Sequence, residues 1–470
     1  MVIKMKKIMR NLYKIVGILT LLALFSCQTA DELIPTTGNE VTGIRIMLPN
    51  GTNTDFAVIP DENNIINLDI DGSIKTDLAK IRMSVSIPNN ATVESAIPLG
   101  EYMDFSKPVS FDVIGADGAK KTYTVKLKVI PSAIGIKELW KKTGSEMGFT
   151  THNNGAVGIS GNYIIVHSRT GFSYFNLADG GKAGDMSWEG IDWQDLGFKL
   201  PLHMTTDDAG NIASCNAAVA GGQEVHMFWW KGVTAKPELL FKYTLESLPK
   251  AQIGRKIYVR GDLTKHAFVY LAVSNNNVIL QWEVKDGKVV SETPKKIEFN
   301  IDYTMGVQAK VVPIGMGENS NYFINRFVNN QPQVAITYMD GKTNKPIYES
   351  EHHIQNVFHQ WLGGGHAFDY ADMNGARYIF LLEQNTHSWM REIFTVRAMM
   401  KDPSKIKDIT SLIHTRVWND WLYFPLDPAF GENGNATGEV KVCVAPDGYS
   451  ATVAFLCTNS GIIVWNVSLE

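Results

Sequence analysis

The chain has 470 residues, with 44 Lys and Arg against 48 Asp and Glu and a formal net charge of −4. Residues 1–26 hold five basic residues and no acidic one, so without them the charge becomes −9. A nucleic-acid binder carries the opposite sign, which sets that class aside.

The N-terminus reads in three parts. Lys4, Lys6, Lys7, Arg10 and Lys14 make a positive region. Residues 15–25 are an apolar run of about eleven residues, too short to span a bilayer and right for a signal sequence. Leu24-Phe25-Ser26-Cys27 ends it with a small residue before the cysteine. This resembles the lipobox of bacterial lipoproteins, with forms familiar in the Bacteroidota. The resemblance implies removal of residues 1–26 and anchoring to a membrane through lipid on Cys27. The acidic pair in Gln28-Thr29-Ala30-Asp31-Glu32 resembles the surface-export signal of the same lipoproteins. It implies an outer-membrane protein facing outside the cell, with the periplasmic face as the alternative. No other run is long enough to cross a bilayer.

Residues 27–40 are polar and read as a flexible tether. Residues 41–130 alternate apolar and polar over short segments such as Thr42-Gly43-Ile44-Arg45-Ile46-Met47, with an Asp117-Gly118 turn near the end. That pattern predicts a small β-sandwich. Its ending resembles the Ig-like modules that follow the lipid anchor in many Bacteroidota lipoproteins. Asp69-Ile70-Asp71-Gly72 is not a calcium loop, because Lys80 stands where a bidentate Glu is needed. Beyond Cys27 the chain keeps Cys215, Cys443 and Cys457, an odd and sparse set that predicts three buried thiols rather than a disulfide framework.

Residues 133–470 read as repeats. Stretches 156–177, 203–230, 256–284, 309–339, 366–399 and 439–469 each give a strand, a small turn, a second strand, a polar turn and a third strand rich in aromatic or β-branched residues. The first turns recur roughly every 50–55 residues apart from the last gap, which fits four-stranded β-propeller blades. The sixth repeat stops after its third strand, so its fourth must come from elsewhere, and residues 136–142 are available. The predicted fold is therefore all-β, an Ig-like sandwich followed by a propeller. Six blades are favoured over seven, the alternative placing a further blade within residues 402–438.

In a propeller the links between blades and the turns between second and third strands share one face. Those segments carry Trp188, Trp193, Trp361, His387, Trp389, Trp418, Asp420, Trp421 and Tyr423. Flat aromatics mixed with planar polar groups suit sugars, whose C–H faces stack and whose hydroxyls need donors and acceptors. These nine are the candidate ligand-binding residues. Trp229, Trp230, Trp282 and Trp465, at or near third-strand ends, read as packing. His353, His359, His366 and His387 raise a metal-dependent lyase as an alternative, but their spacing defines no metal set and none is assigned. No Gly-x-Ser-x-Gly elbow occurs. Carboxylates for a hydrolase could be drawn from Glu189, Asp192, Glu383 and Asp420, as from any acidic surface.

Lipobox, spacer and propeller together resemble surface lipoproteins of Bacteroidota glycan-utilisation systems. The resemblance implies a glycan as partner, a membrane reached through the lipid and an outer-membrane importer complex nearby; no cofactor is assigned. It implies non-catalytic glycan binding, with a propeller lyase or hydrolase, or an adhesive scaffold, as alternatives.

Overall fold

The computed structural model describes residues 38–131, 134–192, 201–219, 222–244, 252–299, 305–325, 336–349, 366–384, 391–398, 422–423, 427–431 and 437–470. Cys27 lies outside the described residues. The described regular structure is all strand apart from one 3-10 turn at Leu78–Lys80. Among the described residues no helix is long and apolar enough to cross a membrane. The chain divides into two compact units, Met1–Ile130 and Pro131–Glu470.

The first unit holds two four-stranded sheets. One runs Asn53–Ala57, Gly43–Met47, Ile81–Ser86, Tyr102–Met103, and the other Ile65–Gly72, Lys120–Pro131, Val109–Ile114, Thr92–Ser95. Alternation sends Ile44, Ile46 and Met83 of one sheet and Leu68, Ile70, Phe111 and Val125 of the other into a single apolar core. Each such side chain contributes about 1.5–3 kcal/mol relative to exposure. The Asp-Gly turn forms where Gly118 takes a φ of +79° and the Asp117 carboxylate accepts the Ala119 N–H at 2.9 Å. Asp69 and Asp71 sit within the strand Ile65–Gly72.

The second unit contains six sheets among the described residues. The first is Val157–Ser160, Tyr163–Ser168, Gly171–Asn176, Lys182–Asp185, and the second Pro201–Thr206, Ile212–Asn216, Glu224–Trp230, Glu238–Thr244. The third is Ile257–Asp262, His266–Val273 and Val278–Lys285, with Lys288–Val289 and Lys295–Glu298 both pairing with the last of these. The fourth is Lys310–Pro313, Tyr322–Asn325, Thr337–Met339, Pro346–Glu349. The fifth is His366–Met373, Ala376–Gln384, Arg391–Ala398, Leu422–Tyr423. The sixth is Gly438–Val444, Ser450–Cys457 and Gly461–Leu469, completed by Ile134–Thr143.

All six first hairpins turn where the repeats mark them. The fifth shows why. Asn374 and Gly375 take φ values of +45° and +82°, the conformation a two-residue hairpin needs and these residues tolerate. The last sheet is completed by the segment the sequence offers for it, Gly461 to Leu469 pairing antiparallel with Thr143 to Ile134 around a bulge. Apolar clusters join the first sheet to the second, the second to the third, the third to the fourth and fifth, and the sixth to the first. Strands of the fifth and sixth sheets also touch, so the packing runs in cyclic order. Trp229, Trp230, Trp282 and Trp465 are fully buried packing residues.

One expectation fails. Cys215 and Cys457 are buried, but Cys443 is exposed. It pairs in register with Thr452 near the end of its strand, where burial stops after Val442.

Candidate functional site

The first strands of the sheets meet in the middle of the second unit, and four polar residues near their starts meet with them. These are His203, Lys256, Lys310 and Glu439, all buried. Glu439 accepts from His203 Nε2 at 2.5 Å and Lys256 Nζ at 2.9 Å through one oxygen. Its other oxygen accepts from Lys310 Nζ at 2.6 Å and the Val440 N–H at 3.0 Å. The lysines also donate to carbonyls, Lys256 to Gly438 at 2.7 Å and Lys310 to Phe368 at 2.8 Å.

Burial opposes ionisation of Glu439, but the charges of Lys256 and Lys310 and the His203 hydrogen bond outweigh it and hold the carboxyl well below the usual range. Burial, reinforced by Lys256, brings His203 down to about 4. The Ile257 N–H points at His203 Nδ1 at 3.3 Å, which fixes the neutral Nε2–H tautomer donating to Glu439. His167 repeats the arrangement, with Nε2 on the Pro201 carbonyl at 3.1 Å, the Gly155 N–H on Nδ1 at 3.4 Å, and burial bringing it down to about 3.

This network floors a small recess, the mouth, where links between sheets converge. Its rim carries His152, Asn153, Arg169, Arg255, Gln308 and Thr437. His152 has a φ of +57° and is held by its N–H on Asn459 Oδ1 at 2.8 Å. Arg255 donates to Gln252 at 2.8 Å, and burial and the Arg169 charge both lower its pKa. Among the described residues neither Arg169 nor Arg255 makes an ion pair. The mouth has room of about 30 Å³, enough for one or two small polar groups.

A larger groove of about 420 Å³ lies beside it on the first sheet. Phe172, Phe175, Met147, Met186 and Trp188 line it, with Thr150, Ser173 and Asp185 among its polar residues. Trp188 is half-buried and meets Phe172 edge-on at 5.1 Å. The two spaces share a wall. At the end of Tyr163–Ser168 and in the turn after it, His167 and Arg169 line the mouth while Ser168 and Thr170 line the groove, and in one link Asn153 lines the mouth and Asn154 the groove.

The opposite end of the first strands opens into another recess, where two arginines are paired with carboxylates and Lys441 donates to the Thr206 carbonyl at 2.6 Å. Arg260 pairs with Asp208 at 3.3 Å and lies over the Tyr370 ring at 5.3 Å, and Arg377 pairs with Asp372 at 2.6 Å. Between the two ends Asp369 accepts from Tyr258 OH at 3.1 Å and the Val442 N–H at 3.0 Å.

Of the nine candidate residues, Trp188 lines the groove. Tyr423, read as a loop residue, is on the fourth strand of the fifth sheet, opposite Glu392. Trp193, Trp361, His387, Trp389, Trp418, Asp420 and Trp421 lie outside the described residues, as do His353 and His359. His366 opens the first strand of the fifth sheet, opposite Glu383, and Glu189 pairs with Lys236 at 2.8 Å. The mouth residues were not singled out from sequence. A signal was present, because a polar residue recurs near the head of first strands in Leu-His203-Met, Arg-Lys256-Ile, Ala-Lys310-Val and Gly-Glu439-Val.

Residues 139–467 match the family model described as Domain of unknown function (DUF8500). The chain belongs to that family. The DUF8500 match spans the second unit from its first strand to its last. A search of the curated proteins finds no match. Among solved structures, the chain is similar to a DUF4623 family protein from Bacteroides eggerthii, at 15% identity and a TM-score of 0.54 over 92% of this chain and 98% of that one. That likeness is one of fold. A candidate secreted protein from Bacteroides fragilis aligns over 19% of this chain and 91% of its own, at 18% identity and a TM-score of 0.15.

Proposed function

We propose that the chain is a lipid-anchored outer-membrane protein of the cell surface that binds a glycan without catalysis. In this reading Cys27 carries the lipid, residues 41–130 are an Ig-like spacer, and residues 133–470 are a six-bladed β-propeller whose loop face holds the sugar. Six sheets packed in cyclic order, the last completed by the unit's first strand, support the propeller. The observation that carries the function is the groove. It sets the half-buried Trp188 among hydroxyls and a carboxylate and has room for a sugar ring. Binding without hydrolysis fits the state of Glu439, the acid beneath the mouth, whose two oxygens are held by two lysines, a histidine and a backbone N–H.

The test is an affinity screen of the full-length protein against plant and host polysaccharides. Trp188→Ala should weaken the best binder at least ten-fold, about 1.4 kcal/mol. The double change Trp418→Ala plus Trp421→Ala tests the loop tryptophans. Unchanged affinity in both variants removes the site. For the anchor, Cys27→Ser should release the protein from membranes, and protease treatment of whole cells should cut the wild type if it faces outward. An importer partner should co-purify after crosslinking on intact cells.

A further inference from the structure

We propose that the mouth takes the anionic substituent of an acidic glycan, a carboxylate or a sulfate ester, on Arg169 and Arg255, while the groove takes the ring that bears it or its neighbour. This rests on the glycan reading above. Size separates the two spaces: about 420 Å³ in the groove suits a ring, and about 30 Å³ in the mouth suits one small charged group. The shared wall puts them side by side, because Arg169 lies between Ser168 and Thr170 of the groove.

Among the described residues the arginine charge in the mouth has no carboxylate partner. Arg169 and Arg255 are close enough for one charge to act on the other, and no carboxylate pairs with either among the described residues. Glu439 does not neutralise them, because Lys256 and Lys310 already flank it. A guanidinium presents its donors as a planar fork that matches carboxylate and sulfate oxygens. Asn153 and Gln308 add amide groups on the rim. Two guanidiniums without an ion pair among the described residues, over a buried ionic floor, mark an anion site.

The experiment uses the full-length protein with three polymers: polygalacturonate, which offers only carboxylates, dextran sulfate, which offers only sulfate, and neutral dextran. Wild type is compared with Arg169→Gln and Arg255→Gln, each checked for an unchanged melting temperature. Should Arg255→Gln fold poorly, Arg169→Gln alone decides. One or both acidic polymers should bind at least ten-fold tighter than dextran, and raised salt should remove that margin. Arg169→Gln should cost the acidic polymer at least ten-fold and leave any dextran binding unchanged. Preference for polygalacturonate assigns a carboxylate, and preference for dextran sulfate a sulfate ester. Equal binding of charged and neutral polymers, or acidic binding untouched by both variants, overturns the anion site and leaves the glycan reading standing. If no polysaccharide binds, in this set or in the wider screen, the glycan reading falls. Free galacturonate and sulfate then decide the mouth: a melting shift lost in Arg169→Gln keeps the anion site, and no shift overturns it.

Discussion

The two ends of the central first strands use the same residue types differently. At one end Arg260 and Arg377 are matched by Asp208 and Asp372 and stacked against Tyr370. At the other, Arg169 and Arg255 face a recess with no carboxylate partner among the described residues. Between them lies a floor of buried charge, Glu439 with Lys256, Lys310 and His203. The paired arginines at one end and the paired floor are explained by the fold itself. The unmatched pair at the mouth is not, and the comparison locates function by that remainder. It can be broken most directly at the floor.

Glu439→Gln keeps the shape and removes the charge. Lys256 and Lys310 would then be buried cations facing a neutral amide. Removing one partner of a buried ion network costs about 3–5 kcal/mol. All eleven tryptophans lie in residues 140–465, so their fluorescence reports on the second unit. Urea unfolding followed that way should show the loss in full. A change under about 1 kcal/mol would mean that the floor does not hold the sheets together.

The histidines give a pH-dependent effect, and its sign is fixed by their burial in the neutral form. His203 and His167 are neutral in the folded protein, brought down to about 4 and about 3 mainly by burial. The unfolded chain protonates both near pH 6.5. Stability is therefore full above that pH and falls as the solution becomes more acid, at about 1.4 kcal/mol per pH unit for each histidine. The fall from His203 ends near pH 4 and that from His167 near pH 3. Between pH 6.5 and about 5.5 the unfolded carboxylates contribute little, so the slope there belongs mainly to the histidines. His167→Gln should remove about half of it. An unchanged slope in that variant would show that His167 is not buried as a neutral donor.

The fold was legible from sequence where the signals are local. Asn374-Gly375, Asp447-Gly448 and Ser160-Gly161-Asn162 announce hairpins by residues that tolerate tight turns, and alternation on either side fixes the register. The incomplete sixth repeat pointed to its missing strand because a sheet edge asks for a partner. The candidate site was less legible, because its chemistry is assembled across the chain. His203, Lys256, Lys310 and Glu439 are far apart in sequence, and a lysine heading a strand reads locally as a solvated edge residue. Only superposing the repeats puts the four in one layer. Leu422–Tyr423 is two residues long and carries no alternation to read. Cys443 misled for a related reason: its neighbours Val440 and Val442 are apolar and buried, but the strand emerges into the recess at the matched end.

Asp208→Asn tests that matched end, and its effect should be small. The Asp208 side chain is 41% exposed and that of Arg260 is 22% exposed. Such a pair contributes about 1 kcal/mol or less, and salt screens it. An asparagine oxygen can still accept the Gly261 N–H that Asp208 holds at 2.7 Å. The same urea experiment should therefore place Asp208→Asn within about 1 kcal/mol of wild type, well short of Glu439→Gln. Equal losses in the two variants would erase the distinction between floor and end.

The smallest perturbation is chemical labelling, which leaves the fold intact and reads the matched end alone. Cys443 is exposed in that recess, while Cys215 is buried between sheets and Cys457 is buried at the end of its strand. Partial desolvation in the recess raises the Cys443 thiol, full burial pushes Cys215 up much further, and thiolate is the reactive form. Of the three cysteines of the second unit, iodoacetamide should therefore modify only Cys443 in the native protein, slowly at neutral pH and faster as pH rises. Cys215 and Cys457 should follow only after urea unfolds the second unit. Early modification of Cys457 would show that Ser450–Cys457 is not covered on both faces, and the cyclic packing that brings the first strands together would lose its support there.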